Sequence, residues 1–187
     1  IIFFYFVYKV LGLKISRKIS SFIFLLIGPK FRSKIISKKN LSKALPTINE
    51  DEKDNILKRM WTNYGKIFAE YAFIKNFRIS KLNKLITIEN ENFLEEIKAN
   101  KKPVIFVSGH FNNFELMAMS IEKYGIDLAA IYRPLNNKFL NPLMEKIRTN
   151  YICKNQVKKG VSGTREILRY FKNGSSIALM IDQRVSE

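Results

Sequence analysis

The sequence predicts an α/β fold, a mainly parallel sheet flanked by helices, preceded by a basic and apolar helical region suited to a membrane surface. Two observations predict the sheet. From residue 86 onward, short apolar runs alternate with longer stretches of helical periodicity, as repeated β–α–β units require. The chain of 187 residues, 47% hydrophobic, is long enough to bury a core as one such domain. A third observation sets the leader apart. Of the 33 Lys and Arg that outweigh 16 Asp and Glu, ten lie within residues 1–49, and that stretch has no acidic residue.

In order along the chain, Ile1 to Leu13 and Ser21 to Ile27 are apolar runs separated by Lys14, Arg17 and Lys18. A bilayer span needs about 20 mainly apolar residues. The leader, residues 1–48, is therefore expected to attach to a membrane, through basic side chains on anionic headgroups and apolar ones in the acyl boundary. A span is expected only if Ile1 to Leu13 is the tail of a longer segment. Asn49 followed by Glu50, Asp51 and Glu52 reads as an N-cap with acids in the first turn. The helix it opens places Ile56, Met60, Trp61, Tyr64, Ile67, Phe68 and Tyr71 on a core-facing stripe.

Residues 49–187 are expected to form the α/β domain. Its predicted strands are Ile86 to Ile88, Val104 to Val107 (buried), Leu128 to Tyr132 and Ser176 to Ile181 (buried). Its predicted helices are Asn92 to Ala99, Phe114 to Tyr124, Asn141 to Asn150 and Thr164 to Phe171, the last stopped by Asn173-Gly174.

The chemistry concentrates in Gly109-His110-Phe111-Asn112-Asn113-Phe114-Glu115, where a strand delivers the only histidine beside a carboxylate. Open α/β sheets place their sites at such strand ends. An imidazole gains and loses a proton near neutral pH, so His110 is a candidate general base, with Glu115 holding the ring in one tautomer and stabilising the imidazolium.

This string resembles the Gly-His-Phe-Gly-Asn-Trp-Glu of bacterial lipid A biosynthesis acyltransferases, the lauroyl and myristoyl transferases, within the wider His-x4-acid glycerolipid acyltransferases. Gly109, His110, Phe111, Asn113 and Glu115 match, while Phe114 replaces Trp and Asn112 replaces Gly, which implies close backbone approach or a positive φ there, a conformation Asn tolerates. In the same order, Asn40-Leu41, Ala44-Leu45-Pro46, Met60 to Glu70, Tyr132-Arg133-Pro134-Leu135-Asn136-Asn137, Arg148-Thr149-Asn150 and Asp182-Gln183 are similar to further family segments.

The resemblance implies an acyltransferase at the cytoplasmic face of the inner membrane, with sheet and helix elements continuing beyond Glu187. The acceptor hydroxyl of a lipid A precursor attacks a thioester on acyl-carrier protein, with His110 as base, and no acyl-enzyme is required. Backbone N–H groups opening the Phe114 helix, or an Arg, are expected to stabilise the oxyanion. Arg133 and Arg148 are candidate binders of acceptor phosphate or oxyanion. Asn113 and Asp182 complete the substrate site, Asp182 holding an arginine or the acceptor. The alternatives are transfer to a glycerolipid or other glycolipid, and a non-catalytic basic protein that binds membranes.

Other classes find no support. One cysteine, Cys153, excludes an intrachain disulfide and a cysteine-based metal cluster. Neither a metal nor a cofactor is implied: Lys158-Lys159, Gly160 and Gly163 lack the Gly-Lys-Ser/Thr spacing of a phosphate loop and read as a turn before a helix. Nucleic-acid binding is not expected, because basic charge comes without zinc-ligand spacing, Arg-Gly repeats or an RNA-binding aromatic motif.

Overall fold

A computed structural model describes residues 2–182, and the chain divides into two compact units between Phe73 and Ile74. Gln183, part of the Asp182-Gln183 motif, lies outside the described residues.

The first unit is helical. Its longest element is α1 (Ile2–Ile27), interrupted at Gly12, whose φ of 75° and ψ of 163° leave the helix. A glycine takes such a backbone without the Cβ penalty of other residues. The Ser16 hydroxyl spans the break, and its contacts with the carbonyls of Gly12 (2.7 Å) and Tyr8 (3.1 Å) engage backbone acceptors there. A short 3₁₀ turn, Gly28–Lys30, and helix α2 (Lys34–Ala44) lead to α3 (Glu50–Tyr71). The predicted start of α3 is found: the Asn49 side chain accepts from Glu52 N–H while the Glu52 carboxylate accepts from Asn49 N–H.

Helix α3 packs along α1, and its buried face differs from the predicted stripe. Leu57, Gly65, Ala69 and Glu70 are buried, whereas Tyr64 is 51% exposed. Small residues set this face, because Gly65 lies against the backbone at Ser20 and Ser16 and Ser20 are fully buried. The helices meet with Tyr8 edge-on to Phe68, Phe24 on Phe68, and Arg17 paired to Glu70 at 3.2 Å. On the other side of α1, Phe3, Phe6, Val10, Phe22 and Leu26 are exposed. No helix among the described residues is long and apolar enough to cross a membrane.

The second unit holds the parallel sheet. Four parallel strands, β1 (Ile105–Ser108), β2 (Leu128–Tyr132), β3 (Asn155–Lys158) and β4 (Ser176–Met180), stand in the order β1-β4-β2-β3. The connecting helices are α6 (Glu115–Lys123), α7 (Asn141–Tyr151) and α8 (Val161–Lys172), with α4 (Ile74–Ile79) and α5 (Asn92–Asn100) ahead of β1. The chain steps outward from β1 through β2 to β3, then returns to insert β4 between β1 and β2. That reversal of direction puts α8 on the opposite face from α6 and α7, as crossovers of one hand demand. Ala129, Val157, Ile167 and Ile177 form the core under α8, with Tyr170 and Phe171 against them.

Three expectations are corrected. Ile86 to Ile88 is not a strand; it follows a 3₁₀ turn, Lys81–Leu85, and pairs with none of the four strands. The predicted buried run of residues 104–107 becomes an edge strand, starting one residue later, with Ile105 and Val107 more than half exposed because α8 packs on β2, β3 and β4. Strand β3 was not predicted, since Asn-Gln-Val-Lys has one apolar residue and an edge strand needs no more.

A Cβ added at Gly65 would sit 2.4 Å from the Ser20 carbonyl oxygen. Gly65→Ala should therefore lower stability by about 1–3 kcal/mol, read as a reduced urea midpoint.

Candidate active site

The site forms where the strands end. His110 lies two residues past the end of β1, and the intervening Gly109 is buried and closely packed: a Cβ there would lie 2.9 Å from the Phe111 ring and 3.3 Å from the Asp182 carboxyl carbon. Asn112 takes a φ of 47°, the left-handed turn expected of it. Helix α6 then begins at Glu115.

Because β4 inserts next to β1, Asp182 arrives beside His110 although 72 residues separate them. One carboxylate oxygen accepts from the His110 backbone N–H at 2.8 Å, and the other meets ring Nδ1 at 2.7 Å. Donation from that backbone N–H, then from the ring, holds the Asp182 carboxyl below the ordinary carboxylate range. A carboxylate facing Nδ1 fixes the proton there in the neutral imidazole and leaves Nε2 as the lone-pair nitrogen. The Phe114 ring packs edge-on against the imidazole, centroids 4.7 Å apart.

Sequence reasoning gave the imidazole to Glu115, whereas the hydrogen bond to ring Nδ1 comes from Asp182. Glu115 Oε1 accepts from Arg148 Nε at 2.8 Å and from its terminal nitrogen at 2.6 Å. The Glu115 side chain is buried, 7% exposed, and that of Arg148 is mostly covered, 12% exposed. Arg148 also lies over the Tyr132 ring, 5.7 Å from its centroid. Tyr132 in turn donates to Glu145 at 2.6 Å, and burial with this hydrogen bond raises its hydroxyl above the usual phenol range. Thus Arg148 is clamped by a carboxylate on one side and an aromatic face on the other.

These groups border a cavity of about 460 Å³ between α6, α7 and the sheet face that bears Ala130, Gln156 and Ala178. Phe114, Met117, Ala118, Ile152, Leu179 and Met180 supply apolar wall. His110, Glu115, Tyr132, Arg133, Arg148 and Lys159 supply the polar part. Arg133 is exposed on the lining, Asn113 is buried just before α6, and Asp182 lies behind the imidazole. Tyr132, Glu145 and Lys159 were not singled out as site residues. The strand-end positions of Tyr132 and Lys159 were the available signal, and for Lys159 it was hidden by the unrecognised β3.

A neutral imidazole backed by a carboxylate beside an apolar-walled cavity can take a proton from a hydroxyl bound there. The comparison with known families is decisive: a family model described as bacterial lipid A biosynthesis acyltransferase matches residues 1–187, the whole chain. The chain belongs to this family. No match is found among curated proteins. The protein is accordingly an acyltransferase enzyme, and the family implies transfer of an acyl group in lipid A biosynthesis.

Among the described residues of this acyltransferase, no cluster of His, Cys, Asp and Glu is placed to hold a metal. Cys153 is buried, and that burial pushes its thiol up to about 12, so it is a packed residue rather than a nucleophile at neutral pH. Replacing Arg148 by Met should cost about 3 kcal/mol in urea unfolding, because it strips two charge-assisted hydrogen bonds from a buried carboxylate. Adding Glu115→Leu to that variant should recover part of the loss.

Proposed function

We propose that the protein transfers a fatty acyl chain from the thioester of acyl-carrier protein to a hydroxyl of a lipid A precursor. His110 Nε2 removes the hydroxyl proton as the oxygen attacks the thioester carbonyl. Asp182 holds the ring through Nδ1 and stabilises the imidazolium that forms, and no covalent acyl-enzyme intervenes. The tetrahedral intermediate expels the thiolate, which takes the proton from His110. Backbone N–H groups opening α6, or the guanidinium of Arg148 held by Glu115, stabilise the developing oxyanion, an effect of about 3–4 kcal/mol for a well-placed donor. The observation that carries the reading is the two-point grip of Asp182 on His110 at an apolar-walled cavity.

Attachment to the cytoplasmic face of the inner membrane is part of the same proposal. Its support is the exposed Phe3, Phe6, Phe22 and Phe31 interleaved with Lys14, Lys18 and Lys30 in a region without acidic residues. Such a surface lies in the interface, its apolar side chains in the acyl boundary and its cations on anionic headgroups.

His110→Ala should lower transfer by about 10²- to 10⁴-fold in an assay with acyl-carrier thioester and a lipid A precursor, with vesicle binding unchanged. Asp182→Asn should fall in the same direction. Transfer persisting in His110→Ala would remove the base from the mechanism, and a preference for glycerolipid acceptors would reassign the substrate. Binding to vesicles containing anionic lipid should weaken steeply as salt is raised, measured by sedimentation.

A further inference from the structure

Three cations, Arg133, Arg148 and Lys159, share the cavity lining with one carboxylate, Glu115. They are not equivalent. Arg148 is held by Glu115 and Tyr132, so its hydrogen-bonding edge is already directed at a protein carboxylate. Arg133 and Lys159 are exposed, and neither side chain has a hydrogen-bond or ion-pair partner among the described residues.

Strand pairing brings these two together. Parallel register sets Tyr132 opposite Lys158, and the Lys159 N–H donates to the Tyr132 carbonyl at 2.9 Å, so the backbones bearing Arg133 and Lys159 leave the sheet side by side. The neighbouring cation, Lys158, is turned to Glu145 at 3.7 Å and is not on the cavity lining. The cavity therefore has apolar walls and one edge with two uncommitted positive charges.

We propose that Arg133 and Lys159 form a cradle for a phosphate ester, fixing the phosphorylated end of a substrate while its reacting group lies at His110. The inference rests on the acyl-transfer reading and deepens it. Arginine supplies a planar fork for two phosphate oxygens and lysine a mobile point charge, a combination that accepts the anionic oxygens of a phosphate ester entering from the open side. Two sources share this chemistry: a phosphate on the acceptor, and the phosphodiester in the prosthetic arm of the acyl carrier.

The test begins with binding alone. Glucosamine 1-phosphate titrated into the full chain and followed by ³¹P NMR should give a Kd raised about tenfold by Arg133→Gln or by Lys159→Gln. The exposed Lys172→Gln, at the far end of α8, should leave it unchanged. No binding by the parent protein, or equal binding by both cradle variants, overturns the proposal.

Steady-state kinetics then separate the sources. A KM increase confined to the phosphorylated acceptor, and absent with its dephosphorylated form, assigns the cradle to the acceptor. An increase confined to the carrier-borne donor, and absent with a phosphate-free thioester, assigns it to the donor. Equal increases for phosphate-bearing and phosphate-free partners overturn it. A parent protein that binds the sugar phosphate yet transfers no acyl group refutes the acyl-transfer reading and leaves the cradle standing.

Discussion

The insertion of β4 between β1 and β2 is the constraint on which the site depends. Without it, His110 would end an unpaired strand and Asp182 would have no path to the imidazole. With it, the carboxylate reaches both the backbone N–H and ring Nδ1 of His110, so the residue is fixed at two points. The same return carries α8 to the far face, which leaves the near face to α6 and α7 and opens the cavity between them and the sheet. Core, cavity and imidazole orientation thus follow from one reversal in strand order.

Two carboxylates divide the electrostatic work around that cavity. Asp182, half in solvent, backs the ring, while buried Glu115 gathers Arg148. A buried pair of this kind contributes little net stability, because the desolvation of both charges offsets most of their attraction. What it does contribute is position. Arg148 lies across Tyr132 with its guanidinium aimed at Glu115, at the same cavity that His110 borders.

Much of this was readable in the chain, and what was not has a physical reason. Leu128 to Tyr132 is a strand with the predicted bounds because an interior strand of a parallel sheet is apolar throughout. The α3 start was legible because a capping box is a local device. The His110 turn was legible as a short local motif, and the left-handed Asn112 through the glycine that the similar family string carries there. Edge strands β1 and β3 were misread or missed because burial, the signal for a strand, is what an edge lacks. The partner of the imidazole was misassigned because Glu115 is near in sequence, whereas Asp182 is near only through strand order. The α3 stripe was misplaced because large apolar residues attract attention, while Gly65 and Ala69 allow the closer approach of helices.

The late arrival of the central strand also has a consequence in time. At ribosomal speeds of about 5–20 residues per second, the stretch from His110 to Asp182 takes about 4–14 s to synthesise. Once β2 is made, both β1 and β2 still lack the partner that β4 supplies between them, and their unpaired N–H and C=O groups are a template for any other extended chain nearby. The nascent protein is thus most vulnerable to mispairing just before β4 emerges, and the carboxylate that grips His110 arrives with the strand that closes the gap.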